Sequence, residues 1–213
     1  GYTTDYIDGD TIDSPLIISL KGKAHDILAT ERLLLNILSH LSGISTHTNK
    51  IVKIAKEANP NVEILATRKT LPGLRYHEKE AVVHGGGQTH RMRLDDAILI
   101  KDNHLNLSNS IKESISLSRI KYPDLMLEVE ADNEEQALEI AECGADRVML
   151  DNFTPLDAAK TIKKLRQISN IEIEISGGVT IENVAEYAKN TDFISLGSLT
   201  MSSLPVDFSL HVI

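Results

Sequence analysis

Six short β-rich runs, each closing on polar or glycine residues, constrain this chain more than any other feature. They are VEILATR (62–68), AILIKD (97–102), LMLEVEA (125–131), RVMLDN (147–152), IEIEIS (171–176) and FISLGS (193–198). Helical patterns separate most of them: NEEQALEIAECG (133–144), PLDAAKTIKKLRQ (155–167) and TIENVAEYAKN (180–190). Such alternation predicts parallel strands joined by right-handed crossovers, hence an α/β fold. Two strands favour a barrel over a doubly wound sheet. LMLEVEA sets Leu127 and Val129 against Glu128 and Glu130, and IEIEIS sets three isoleucines against Glu172, Glu174 and Ser176. A strand between two helix layers should be apolar on both faces. A barrel strand can point polar groups into the lumen near its C-terminal mouth, where the active sites of such barrels lie.

The polar groups gather at those C-terminal ends. The six runs end in Thr67-Arg68-Lys69, Lys101-Asp102, Glu130, Asp151-Asn152, Ser176-Gly177-Gly178 and Gly197-Ser198. One such ending is ordinary turn chemistry, but six on the same end point to a site. Ahead of the first strand, helical spacing runs from about residue 25 to Asn59-Pro60, with SGIST (42–46) expected to interrupt it.

Charge sharpens the reading. The chain carries a formal net charge of −9, which argues against a nucleic-acid binder relying on a general basic surface. Residues 67–104 nevertheless hold seven Lys/Arg against five Asp/Glu, so this window is +2 and the remainder −11. Two unit cations at 4 Å repel by about 4 kcal/mol at an effective dielectric near 20. Arg68, Lys69, Arg91 and Lys101 at one mouth therefore imply neighbouring carboxylates or an anionic ligand. Arg grips planar carboxylates in a bidentate manner, Lys acts as a point charge, and His90 could donate to the same ligand.

SGGVTIEN reads as strand, glycine turn and helix start, a cradle of backbone N–H groups suited to phosphate, and LGSL on the next strand could complete it. Glu130 and Asp151 suit sugar hydroxyls or a hard cation such as Mg2+. His77, His84, His90 and His104 lack zinc spacing, and no G-x-S-x-G elbow is present. The single cysteine, Cys143, excludes an internal disulfide, fits a reducing cytoplasm and reads as a small buried hydrophobe in a helix. No run approaches the roughly 18 apolar residues of a membrane span.

ATERLLLNILSHLSGIST, TRKTLPGLR, GGGQTHRMRLDDAILIKDNH, EVEAD, GADRVMLDNF, EISGGVTIENV and FISLGSLT, in this order, resemble the quinolinate phosphoribosyltransferase family. The resemblance implies an open parallel α/β barrel of fewer than eight strands over residues 25–213, with residues 1–24 a remnant of an N-terminal α/β domain otherwise outside the chain. It also implies transfer of phosphoribosyl from 5-phosphoribosyl-1-pyrophosphate to quinolinate, with loss of CO2. Thr67, Arg68, Lys69, His90, Arg91 and Lys101 would line the dicarboxylate site. Lys69, Lys101, Glu130 and Asp151 would stand at the reacting centre, Glu130 and Asp151 beside Mg2+-pyrophosphate and ribose, with Glu128 and Glu174 nearby. Ser176, Gly177, Gly178, Gly197 and Ser198 would hold the 5′-phosphate, and Arg32 would reach a partner subunit's site in a homodimer or hexamer. Met201 departs from the family, which often carries His or Gln there; its thioether cannot donate to phosphate. The alternatives are a relative acting on another anion, of the molybdenum-transport-associated type, and a truncated non-catalytic partner subunit.

Overall fold

The computed structural model describes residues 1–108 and 110–213. A short antiparallel pair, β1 (Tyr2–Thr3) and β2 (Ser19–Leu20), precedes helix α1 (Ala24–Ala58). There follow β3 (Glu63–Ala66), α2 (Arg75–His84), β4 (Ile98–Ile100), α3 (Asp102–Leu105) and α4 (Ile111–Lys121). The rest of the chain runs β5 (Leu127–Ala131), α5 (Glu134–Glu142), β6 (Arg147–Asp151), α6 (Pro155–Ile168), β7 (Glu172–Ser176), α7 (Val184–Ala188), β8 (Phe193–Leu196) and α8 (Ser198–Met201).

Strands β3 to β8 form one parallel sheet in the order β3-β8-β7-β6-β5-β4, an open six-stranded barrel. Beyond the edge of β3, Gln88 adds a partial stave. Its N–H donates to the Ile64 carbonyl at 2.8 Å, and its carbonyl accepts from Ala66 N at 2.9 Å. Each expected strand is present, trimmed by up to three residues; at β3, β4 and β8 the polar ends leave the ladder, whereas β5 and β7 lose only residues at their starts. Residues 180–190 hold only the short α7.

The outward strand faces and the helices share one core. Leu127, Val129, Val148, Leu150, Ile173, Ile175, Ile194 and Leu196 pack with Ile44, Ile51, Ala137, Ile140, Ile162 and Leu165. Burying each large aliphatic side chain contributes roughly 1.5–3 kcal/mol. Local signals start the outer helices: Ser110, Asn133 and Thr154 accept from the backbone N–H three residues on, and Pro155 opens α6. Cys143, expected inside a helix, is the residue that ends α5 and is only partly buried. No helix among the described residues is long and apolar enough to cross a membrane.

The expected break at SGIST does not occur. Helix α1 runs unbroken for 35 residues and stops where Asn59 returns its N–H to the Ala55 carbonyl before Pro60. Gly43 is a contact residue instead. The C-terminal segment crosses α1 there, held by Val206 N to the Ser39 carbonyl at 3.0 Å, and a Cβ at 43 would collide with the Leu204 carbonyl. Helix propensity favours alanine over glycine by about 1 kcal/mol, yet forcing backbone apart in a packed site costs about 1–3 kcal/mol. Gly43→Ala is therefore expected to lower the unfolding free energy in urea; a gain in stability would contradict the crossing.

Candidate active site

The C-terminal mouth of the barrel holds a cleft of about 680 Å3. Three groups of residues line it: Thr67, Arg68, Lys69, His90, Arg91 and Lys101; Asp151, Asn152 and Glu174; and Ser176, Gly177, Gly178, Gly197 and Ser198. Leu99, Met149, Val179 and Met201 supply apolar wall.

The strand register explains the convergence. Glu128 pairs with Arg147, Arg147 with Glu172, Glu130 with Met149, Met149 with Glu174, and Asp151 with Ser176. In parallel ladders these neighbours point the same way, so every second residue enters the lumen in tiers.

The middle tier is a buried floor. His90 Nε2 lies 3.1 Å from Glu128 Oε2 and 3.3 Å from Glu174 Oε2, and Arg147 Nη1 reaches Glu174 Oε2 at 3.4 Å. Glu128 and Glu174 are 1% and 0% exposed, and one oxygen of each has no hydrogen-bond partner among the described residues. Burial and the Glu174 charge push Glu128 up to about 7. Burial opposes the charged His90 ring, but hydrogen bonds to both carboxylates outweigh it and raise the ring to about 9. The same bonds from His90 outweigh burial at Glu174 and lower its pKa. Arg91 N–H donates to His90 Nδ1 at 2.6 Å, which leaves the ring's own proton on Nε2 against the two carboxylates. The further proton that the cluster retains therefore belongs to the cluster rather than to one atom.

This placement corrects three expectations. Glu128 does not line the cleft, and Glu130, almost wholly buried in contact with Lys101, is not among the wall residues either. His90 is not free to reach a ligand with Nε2, because the two carboxylates occupy it. The histidines show no metal spacing along the chain, yet folding gathers His90, Glu128 and Glu174 with ligand-type atoms within 4.8 Å of one another. Arg147 and the ring proton already offset those charges.

Above the floor the charge is not balanced. Arg68, Lys69 and Arg91 form no ion pair among the described residues, and the buried Nε of Arg68 has no partner. Burial lowers the Arg91 pKa, and Arg68 adds repulsion after the opposing pull of Glu128. Lys101 does have a partner, in direct contact with Glu130. Burial raises both Glu130 and Asp151; Lys101 opposes the shift in each, while Asp151 and Asp102 reinforce it for Glu130, and Asp132 for Asp151.

The glycine loop closes the other end. Gly177 has φ +80°, and a side chain there would strike the Asn152 amide, so the Ser176-Gly177-Gly178 turn can hug the neighbouring strand end. Met201 is exposed at the rim. Arg32, on the exposed side of α1, is not part of this chain's cleft.

Two residues of the site region, Arg147 and Lys79, escape the strand-end reading. Arg147 lies in phase with Asp151 along RVMLD, an alternation that could have marked it as lumenal. Asn152 adopts φ +58° and donates to Asp151 Oδ2 at 2.6 Å. Lys79 is wholly buried on α2, three residues before the core residue Val82.

A family model described as the C-terminal domain of quinolinate phosphoribosyl transferase matches residues 44–211. A probable nicotinate-nucleotide pyrophosphorylase (carboxylating) of Archaeoglobus fulgidus is 45% identical over 211 residues, 97% of this chain and 81% of that protein. The probable Methanocaldococcus jannaschii counterpart is 47% identical over 204 residues, 92% of this chain and 72% of that one. The crystal structure of NadC from Streptococcus pyogenes superposes with a TM-score of 0.90 at 36% identity, covering 98% of this chain and 74% of that one.

The His90 cluster makes a pH prediction. A ring raised from 6.5 to about 9 supplies stability that is full below about 6.5 and lost as pH rises through about 9. Asn tolerates the left-handed backbone that His90 adopts at φ +50°. The fall in unfolding free energy between pH 7 and 9.5 is expected to be smaller in His90→Asn than in the wild type. Parallel curves would contradict the pairing.

Proposed function

The chain belongs to the quinolinate phosphoribosyltransferase family, and on that footing we propose that it joins quinolinate to the ribose of 5-phosphoribosyl-1-pyrophosphate. The products are nicotinate mononucleotide, pyrophosphate and CO2, a step of NAD biosynthesis. One observation carries the reading: Arg68, Lys69 and Arg91, without carboxylate partners among the described residues, face a cleft whose other end is a glycine-rich phosphate cradle. Half-buried guanidinium groups left unpaired, as at Arg68 and Arg91, are costly, and a dianionic planar ligand offsets that cost.

The two guanidinium groups grip the two carboxylates of quinolinate and orient its ring nitrogen toward the ribose. The nitrogen lone pair forms the bond to C1 of ribose as the bond to pyrophosphate breaks. Positive charge develops on the sugar at that moment, and Asp151, with Glu130 behind it through Lys101, supplies the negative charge that stabilises it. Lys69 and Lys101 offset the charge on the departing pyrophosphate. The ribosylated nitrogen is then cationic and stabilises the electron pair that the adjacent ring carbon keeps when its bond to the carboxylate breaks and CO2 leaves. A proton from solvent replaces it on the ring carbon.

The donor set also suits Mg2+, which prefers oxygen ligands. Glu130 and Asp151 are both raised by burial and by neighbouring acids, an excess of negative charge that a cation relieves. Asp151 and Glu130 would hold Mg2+, which when bound would supply positive charge to offset the departing pyrophosphate. Arg32, outside this chain's cleft, serves the site of a second copy: Leu28, Leu33 and Ile37 near it on α1 are exposed, apolar surface suited to a homodimer with shared sites.

Incubation with quinolinate, 5-phosphoribosyl-1-pyrophosphate and Mg2+ is expected to give nicotinate mononucleotide and CO2 together. Arg91→Ala is expected to weaken quinolinate binding about a hundredfold, the scale of two charge-assisted hydrogen bonds, with a nearly unchanged melting temperature. No product from folded wild-type protein would contradict the assignment, and a large stability loss in Arg91→Ala would make that arginine structural.

A further inference from the structure

We propose that Lys79 is a positioning residue for dicarboxylate recognition, its enclosed ammonium fixing the two backbone segments that aim Arg68 and Arg91 into the cleft. The proposal rests on the dicarboxylate reading of the site and adds a residue that does not touch the cleft.

Lys79 is 0% exposed, and its Nζ donates to three carbonyls: Thr89 at 2.5 Å, Arg91 at 2.6 Å and Ala66 at 3.5 Å. Three N–H donors thus meet three acceptors, with no carboxylate among them. Ala66 is the last residue of β3 before Thr67-Arg68-Lys69. Thr89 and Arg91 bracket His90, whose backbone sits at φ +50°, a conformation that persists only where its surroundings impose it.

The neighbouring side chain grips the far end of the first segment. Glu78, also 0% exposed, accepts from Leu71 N at 3.2 Å and from His40 Nε2 at 2.8 Å. Two successive residues of α2 therefore hold the 67–70 loop at both ends, Lys79 at Ala66 and Glu78 at Leu71. A buried lysine stabilised only by carbonyl dipoles is an expensive way to fill core volume, since an apolar side chain of similar length needs no desolvation. What it adds is geometry, since one atom ties together two loops carrying the two guanidinium groups.

The clamp is sensitive to its proton. Burial lowers Lys79 to about 8, with Arg75 on its own helix, Arg68 in the 67–70 loop and Arg91 adding repulsion, and Asp96 opposing. On the α1 side the His40–Glu78 pair faces the same helix, and the His90–Glu128–Glu174 cluster lies below the 89–91 segment. A neutral amine offers two donors to three carbonyls. Dicarboxylate affinity therefore falls as pH rises through about 8.

The test uses the full chain and phthalate, a non-reacting dicarboxylate, in calorimetric titrations from pH 6.5 to 9.5. The control ligand is ribose 5-phosphate, whose phosphate is assigned to the 176–178 glycine loop rather than to the 67–70 loop. Wild-type phthalate affinity is expected to fall above about pH 8. Lys79→Arg, which stays charged, should lose that limb, and any residual fall near pH 9 belongs to the His90 cluster common to both proteins. Lys79→Met should weaken phthalate about tenfold or more, the scale of a lost buried hydrogen-bond set, while the control ligand shifts less than about twofold. Without any ligand, amide hydrogen exchange at 67–70 and 88–91 should accelerate in Lys79→Met. Wild-type affinity flat across pH 7–9.5, equal loss of both ligands, or unchanged exchange would each overturn the proposal. Should neither variant fold, the wild-type pH curve decides. A wild-type chain that forms no nicotinate mononucleotide and ignores phthalate overturns the dicarboxylate reading instead, and the exchange result still judges the clamp.

Discussion

Positive charge without a partner is what the mouth of this barrel is organised around: the half-buried guanidinium groups of Arg68 and Arg91 beside the exposed ammonium of Lys69. Arg68, Lys69 and Arg91 have no carboxylates of their own among the described residues, while Lys101 is joined to Glu130. The imbalance persists because everything beneath it is closed. His90, Arg147 and two buried glutamates settle their charges with one another in the lumen, leaving the floor unable to neutralise the guanidinium groups above. The field therefore points outward, toward a ligand.

The architecture serves this separation. Parallel strands in register stack lumenal residues in tiers, so one ladder supplies both the self-satisfied floor and the open mouth. The long outer core carries the folding energy, which leaves the lumen free to hold polar groups that a packed hydrophobic centre would exclude. The partial stave at Gln88 brings the His90-Arg91 segment to the edge of β3, and Lys79 and Glu78 hold it and the 67–70 loop from behind.

Much of this was legible along the chain. The alternation of Glu128, Glu130, Glu172 and Glu174 with aliphatic residues gave the lumenal face, and the polar strand ends gave the mouth. What was hidden depends on contacts between distant segments. SGIST looked like a break, since only the crossing of Leu204 over Gly43 reveals a glycine placed for close approach. Glu128 and Glu130 sit two residues apart on the same face and both are buried, yet one is tied to His90 in the floor and the other to Lys101, a residue of the cleft wall. Nothing local distinguishes them. Lys79 carried the same difficulty: a lysine in a charged helix reads as solvated until the fold encloses it.

The most direct measurement of the central idea is a comparative titration of quinolinate and nicotinate into the protein at constant ionic strength. Two guanidinium groups that need two carboxylates predict that nicotinate, with one, binds about a hundredfold more weakly. Equal affinity for the two acids would mean that the unpaired cations do not hold a dianion.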